Sequence, residues 1–207
     1  MTMLVKFLVT GGGGFIGSHI TEALINEGND VTILDNFTTG KKENLVKIIN
    51  KVELHHGNIN DFELLRNLTR GKDGIFHQAA LASVQESFSK PQEYHMVNVI
   101  GTKNVLETAK EFGIKVVYAS SSSVYGNPVK IPIQENDPKN PINPYAQTKL
   151  DDEKMARKYA GDGVRVIGLR YFNVFGERQS QTYAGVIKKF LKRAKDGQAP
   201  IINGDGS

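Results

Sequence analysis

Tyr145 and Lys149 stand four residues apart in Pro144-Tyr145-Ala146-Gln147-Thr148-Lys149, at what reads as the start of a helix, so both side chains share one face. A free phenol releases its proton near pH ~10, and acting as a base near neutrality needs ~4 kcal/mol of help, which a close ammonium and a second nearby positive charge can supply. A hydroxyl partner is at hand in Ser120-Ser121-Ser122-Ser123, followed by Val124-Tyr125-Gly126. The plainer reading is a surface tyrosine beside a solvated lysine and a polar strand end. A third feature favours chemistry. Val9-Thr10-Gly11-Gly12-Gly13-Gly14-Phe15-Ile16-Gly17 joins an apolar strand to a helix through a turn almost without side chains. Gly11 allows the tight turn, Gly14 lets backbone N–H groups approach a pyrophosphate, and Gly17 lets the helix lie close on the sheet. Asp35 closes the apolar run Val31-Thr32-Ile33-Leu34, 18 residues after Gly17. Its carboxylate can accept hydrogen bonds from an adenosine ribose and would repel a 2′-phosphate, so the pattern points to NAD over NADP.

The elements that must carry these residues alternate along the chain. Strands are predicted near 3–10, 31–35, 52–56, 74–78, 115–120 and 164–169, and helices near 15–28, 60–70, 91–112, 144–160 and 182–196. Such alternation specifies an α/β fold with a doubly wound parallel sheet and right-handed crossovers. The serines then lie at the carboxyl end of a strand, where open α/β sheets bind ligands. Residues 128–144 carry five of the seven prolines and should form an irregular loop over one end of the sheet, able to position a substrate or simply to connect.

Composition narrows the function classes. A chain of 207 residues without cysteine has no disulfide framework, thiol nucleophile or cysteine-based zinc site, and the spacing of its histidines suggests no metal site. The formal charge of +4 is spread among acids, which argues against a nucleic-acid surface. No apolar run approaches the ~18 residues of a membrane span, and the first residues lack the pattern of a secretory signal, so a cytoplasmic protein is expected.

In the order of its motifs the sequence resembles the extended short-chain dehydrogenases/reductases, and within them the nucleotide-sugar epimerases related to UDP-glucose/UDP-galactose 4-epimerase. The resemblance rests on residues 10–19, Asp35-Asn36-Phe37-Thr38-Thr39-Gly40, Gly57-Asn58-Ile59, His77-Gln78-Ala79-Ala80, Asn98-Val99-Ile100-Gly101-Thr102, the serine run, Tyr145 to Lys149 and residues 169–176. It implies a Rossmann domain over 1–180 and the beginning of a substrate lobe over 181–207, whose larger part would lie beyond this chain. It also implies that the amides of Phe15 and Ile16 contact the pyrophosphate, that Asp35 through Gly40 embrace the adenosine ribose, and that Asn58 and Ile59 flank adenine. Gln78, Ala79, Ala80 and Ala82 would line the nicotinamide side, with Asn98 below it and Phe172 closing the pocket. Asn98 could instead bend its helix, and Phe172 could be core.

Counting back from Val124, the family's catalytic hydroxyl falls on Ser121, with Ser122 the nearest competitor. Related 4,6-dehydratases carry an Asp-Glu pair where this chain has Ser122 and Ser123, so oxidation and reduction without elimination are implied. Tyr145 would take the proton from the carbon 4 hydroxyl of a UDP-hexose, NAD would accept and return the hydride, and Lys149 would support the phenolate and bind the nicotinamide ribose. Asn173 would bind the diphosphate and Ser83 could reach the sugar, although a helix cap is as good a reading. Asn58 departs from the acid usual at that position. Other enzymes of the family acting on a UDP-sugar, a 4-reductase or a decarboxylase, stay open, as does a non-catalytic NAD-binding module. The helices 91–112 and 144–160 carry apolar residues beyond one face, which with the resemblance implies a homodimer through them.

Overall fold

The computed structural model of the protein describes residues 4–180 and 186–202. Six parallel strands, β1 (Lys6–Thr10), β2 (Asp30–Asp35), β3 (Glu53–His56), β4 (Gly74–His77), β5 (Lys115–Ser121) and β6 (Val166–Tyr171), lie in the order β3-β2-β1-β4-β5-β6. Strand order reverses between β1 and β4, and their ends at Thr10 and His77 open the crevice where doubly wound sheets bind ligands.

The period of two along a strand divides the core. Leu8, Leu34, Ile75 and Val116 face one layer with Leu65, Leu106 and Ala156, while Val9, Val31 and Ile33 face the other with Leu24, Leu45 and Ile48. The first layer holds α2 (Phe62–Thr69), α5 (Gly101–Phe112) and α6 (Pro144–Gly161); α1 (Phe15–Asn26) lies on the second. α6 is seated on the sheet by Glu153, which accepts from Ser120 Oγ on β5 at 2.6 Å and from Arg170 Nε and Nη2 on β6 at 2.7 and 2.8 Å.

The predicted helix over 91–112 is one helical run of three geometries: α4 (Pro91–Tyr94), a π-helical segment His95–Ile100, and α5. A short helix, α3 (Val84–Ser89), precedes it and was not predicted, although Ser83-x-x-Glu86 has the spacing of a capping box and Ser83 Oγ accepts from Glu86 N at 3.2 Å. The last strand starts two residues later than the sequence suggests, at Val166. After α6 the chain turns at Gly163, at φ 93°, and the Val164 amide is committed to the Tyr159 carbonyl at 3.0 Å, so pairing with β5 is postponed and carried on to Tyr171. Residues 127–143 contain no regular element, as expected of the proline-rich loop, and Glu135 O accepts from Arg170 at 2.7 Å.

The chain divides into two compact units, Met1–Phe172 and Asn173–Ser207. The second contains α7 (Val186–Lys195); the expected start of that helix at 182–185 lies outside the described residues. No helix among the described residues is long and apolar enough to cross a membrane.

Candidate active site

The glycine turn is built by exclusion. Gly11 sits at φ 71°, and a Cβ there would stand 2.6 Å from the Ala79 amide nitrogen at the end of β4. At Gly17 a Cβ would run into the Gly11 carbonyl. Any side chain at either place would part α1 from the turn and β1 from β4. Gly14 caps α1 without a side chain and no acid occupies the first turn, so the first-turn amides of Phe15 and Ile16 point outward with no intrahelical acceptor.

Asp35 ties this turn to the loop that follows β2. Its Oδ2 accepts from Gly13 N at 2.8 Å and its Oδ1 from Phe37 N at 2.7 Å. The carboxylate is 8 % exposed, and burial raises its pKa while the two amides and His56 pull it down. Phe37, at φ 55°, stacks on His56 at 5.9 Å and packs behind Gly13. The loop is clasped from beyond by Lys41 N and Asn44 Nδ2, both donating to Gly13 O, at 2.9 and 2.8 Å. Nothing in the sequence pattern singled out Asn44.

The cleft so formed, of about 320 Å³, takes its walls from Gly11 and Gly14, from Asp35, Asn36, Thr38, Thr39 and Gly40, and from Asn58, Ile59, Gln78, Ala79 and Ala80. Leu81, Glu93 and Val97 also line it, unpredicted. Gln78 presents a buried amide that approaches the Tyr171 phenol without a well-formed hydrogen bond, a polar group left for a ligand to satisfy. Phe37 supports the wall and does not line it. Ala82 is exposed, Ser83 serves as the α3 cap, and Asn173 is exposed at the start of the second unit. Phe172, 58 % exposed, lines a different groove, of about 670 Å³, beside β6 with Arg170, Tyr125 and Glu153.

Asn98 joins the cleft to the predicted base. Within the π-helical segment it is fully buried; its Oδ1 accepts from Leu81 N at 2.8 Å, and its Nδ2 donates to Leu81 O and to Thr148 Oγ1, both at 3.0 Å. Thr148 donates in turn to the Tyr145 carbonyl at 2.7 Å. The Asn98 amide is thereby spent on holding Leu81 against the first turn of α6. Asn143 caps that turn, accepting from Ala146 N at 2.8 Å, and sets Tyr145 half-buried at its start. Lys149, one turn on, is 3 % exposed. α6 also packs on the 3₁₀ turn Ser122–Tyr125, whose N-cap is Ser121. Ser121 Oγ accepts from Ser123 N at 3.2 Å and from Ser123 Oγ at 2.8 Å, which leaves its own O–H to donate outward.

Behind Lys149 runs a buried polar chain. Thr10 Oγ1 meets His77 Nδ1 at 2.7 Å, and His77 Nε2 meets Thr102 Oγ1 at 2.9 Å. His77 is a structural link in this chain; burial first and the Lys149 charge second push its pKa down to about 3, so it is neutral.

Comparison with known proteins agrees with this geometry. The family described as "NAD dependent epimerase/dehydratase family" matches residues 7–207. A UDP-glucose 4-epimerase of Lactobacillus helveticus is 42 % identical over 176 residues, 83 % of this chain and 52 % of that protein. A UDP-N-acetyl-alpha-D-glucosaminuronate decarboxylase of Bacillus cytotoxicus is 36 % identical over 211 residues, 99 % of this chain and 65 % of the relative. Among solved structures, UDP-N-acetylglucosamine 4-epimerase from Methanobrevibacter ruminantium superposes with a TM-score of 0.92 at 40 % identity, over 99 % of this chain and 67 % of that one. The chain thus spans about half to two thirds of the length of these curated relatives.

The neutral His77 gives stability a defined slope. The unfolded chain takes up the imidazole proton near pH ~6.5 and the folded chain does not, so this contribution is complete above that pH and is lost as pH falls toward the folded value. His77→Gln should therefore lose less stability than the parent on acidification, by ~1.4 kcal/mol per pH unit below ~6.5, in urea unfolding at paired pH values. Parallel pH dependences in the two proteins would contradict the neutral imidazole.

Proposed function

Because the chain belongs to the NAD-dependent epimerase/dehydratase family, we propose that it binds NAD in the glycine cleft and works as a nucleotide-sugar 4-epimerase on a UDP-hexose, through transient oxidation at carbon 4. The observation that carries this reading is the seating of Tyr145 and Lys149 on successive turns of α6, tied through Thr148 and Asn98 to the cleft wall at Leu81. The residues fit the cofactor: a glycine turn that no Cβ could share, first-turn amides for a diphosphate, a buried carboxylate and an unsatisfied Gln78 amide.

When bound, NAD supplies the acceptor and then the donor of hydride at carbon 4. The chain's own groups do the rest. The amides of Phe15 and Ile16 face the pyrophosphate, Asp35, Asn36, Thr38, Thr39 and Gly40 hold the adenosine ribose with Phe37 behind them, and Asn58 and Ile59 border adenine. Both Asp35 oxygens already bind amides, yet each keeps a lone pair for a ribose hydroxyl. Tyr145, as phenolate, removes the proton from the carbon 4 hydroxyl and later returns it. Lys149 stabilises the phenolate and reaches the nicotinamide ribose. Ser121, its oxygen occupied by two donors from Ser123, directs its O–H to the sugar oxygen or to the phenolate. Hydroxyls at Ser122 and Ser123 offer no acid for elimination, which favours epimerisation over dehydration.

A homodimer is proposed through residues 91–112 and 144–160. The contact falls on fewer residues than the apolar count suggested, because Val105, Leu106, Ala109 and Tyr159 turn into the chain's own core. What stays accessible is Met96, 49 % exposed, with half-buried Val99, Ile100, Leu150 and Met155.

Three measurements test these assignments. Asp35→Ala should weaken NAD by ~10-fold or more, from the loss of charge-assisted hydrogen bonds worth ~1.5–3 kcal/mol, and reduce the preference over NADP; unchanged affinity and preference would refute the ribose role. Tyr145→Phe should cut conversion of UDP-glucose to UDP-galactose by ~10²–10⁴-fold with NAD still bound, and near-normal turnover would remove Tyr145 as the base. Met96→Glu should give a folded monomer in sedimentation, whereas a parent protein monomeric at high concentration would end the dimer proposal.

A further inference from the structure

Lys149 is held by a residue that neither the sequence motifs nor the proposed chemistry uses. Asp152 follows it by three positions on α6 and is fully buried, with Lys149 Nζ 3.3 Å from Asp152 Oδ2. Neither charge can stay inside the protein alone. A buried ammonium without a partner is driven to the neutral amine, and a buried carboxylate to the acid.

The groups around the pair come from four elements. On α6 itself Asp151 adds a second negative charge nearby, from β4 comes the neutral His77, from β5 the Tyr118 phenol, and from α5 the Thr102 hydroxyl, which reaches the Asp152 carboxylate. Asp152 Oδ1 has no well-formed hydrogen bond of its own. With the Thr102 O–H directed at the Asp152 carboxylate, His77 Nε2–H donates to Thr102 Oγ1 and the Thr10 O–H donates to His77 Nδ1. The chain thus directs its donors toward the carboxylate, and its far end, Thr10, adjoins the glycine turn.

We propose that Asp152 is the positioning residue for Lys149: its carboxylate keeps the ammonium charged and fixed one turn from Tyr145, and so governs the pH range in which Tyr145 can act as a base. This rests on the assignment of Tyr145 and Lys149 as base and electrostatic partner. Burial, opposed by Lys149 and Thr102, pushes the Asp152 pKa up to about 6, so the carboxylate is ionised at neutrality and lost below.

The test follows the Lys149 side-chain ammonium by nuclear magnetic resonance across pH in the full chain, the signal being identified by its absence in Lys149→Met. In the parent it should register an inflection near pH 6, as Asp152 takes up its proton. In Asp152→Asn that inflection should vanish, and the ammonium signal should be lost at a lower pH than in the parent. Asp152→Glu, which restores the charge, should recover part of the difference. A merely structural residue would lower the melting temperature and move neither titration. If Asp152→Asn does not fold, Thr102→Val decides, since removal of the hydroxyl should move the inflection upward. A flat Lys149 signal in the parent, an unmoved Lys149 titration in folded Asp152→Asn, or an unmoved inflection in Thr102→Val would overturn the proposal. The ultraviolet tyrosinate signal of the parent minus that of Tyr145→Phe should rise at higher pH in the Asp152→Asn background. Should Tyr145→Phe retain turnover, the base assignment falls by itself, while the Lys149 titration still judges Asp152.

Discussion

A carboxylate placed where water scarcely reaches it must be satisfied by the protein, and Asp35 is satisfied by the backbone it organises. Gly13 and Phe37 donate to its two oxygens, so one side chain fixes the glycine turn after β1 and the loop after β2 in a single arrangement. Everything else at the cleft depends on that. Phe37 is held at a positive φ that an aromatic residue seldom adopts, a cost of order 1–3 kcal/mol which the Asp35 bond and the His56 stack must offset. Asn44 and Lys41 close the same loop onto the Gly13 carbonyl. The loop that borders the cleft is therefore held by the protein's own hydrogen bonds, which reduces the entropy it has left to lose on binding.

The second half of the site is assembled by buried amide and hydroxyl groups. Asn98 uses three hydrogen bonds to join the segment after β4 to α6, and the chain from Thr10 through His77 to Thr102 does the same one layer deeper. Such networks tolerate little rearrangement, because a half-satisfied buried polar group costs more than the bond it replaces gains. They hold the Tyr145–Lys149 pair in register with a cleft formed mainly by β1, β2 and the loops that follow them.

Much of this was legible in the sequence, for a physical reason. Glycines at the turn, Asp35 at a strand end and a Tyr-x-x-x-Lys helix start are written in local residue types, and local geometry follows from those directly. The six strands and their parallel, doubly wound arrangement follow from alternation in the same way. What could not be read depends on register between distant elements. His77, Thr102 and Asp152 lie on β4, α5 and α6, and only packing brings them together. The apolar breadth of the 91–112 helix overstated its free face for a related reason: Val105, Leu106 and Ala109 pack into the chain's own core, which leaves Met96, Val99 and Ile100 as the accessible apolar residues. α3 had its capping signal at Ser83 and Glu86 and was missed because a six-residue helix leaves too little periodicity to notice. Phe172 was expected to close the pocket and lines the groove by β6 because pairing with β5 continues as far as Tyr171.

The π-helical segment His95–Ile100 bears on how this helix could tolerate change. A π turn accommodates a residue more than an α turn of the same rise, so it resets the angular phase of all that precedes it relative to all that follows. Asn98 can thereby face Leu81 and Thr148 while Gly101 lies against Ile59 and Thr102 meets His77. Removal of a single residue from this stretch would leave a helix of nearly the same length and better regularity, yet would rotate Asn98 by about a quarter turn out of its socket. Insertions and deletions between Pro91 and Gly101 would therefore act as changes of phase, and the more ideal helix would be the one that disconnects the cleft from α6.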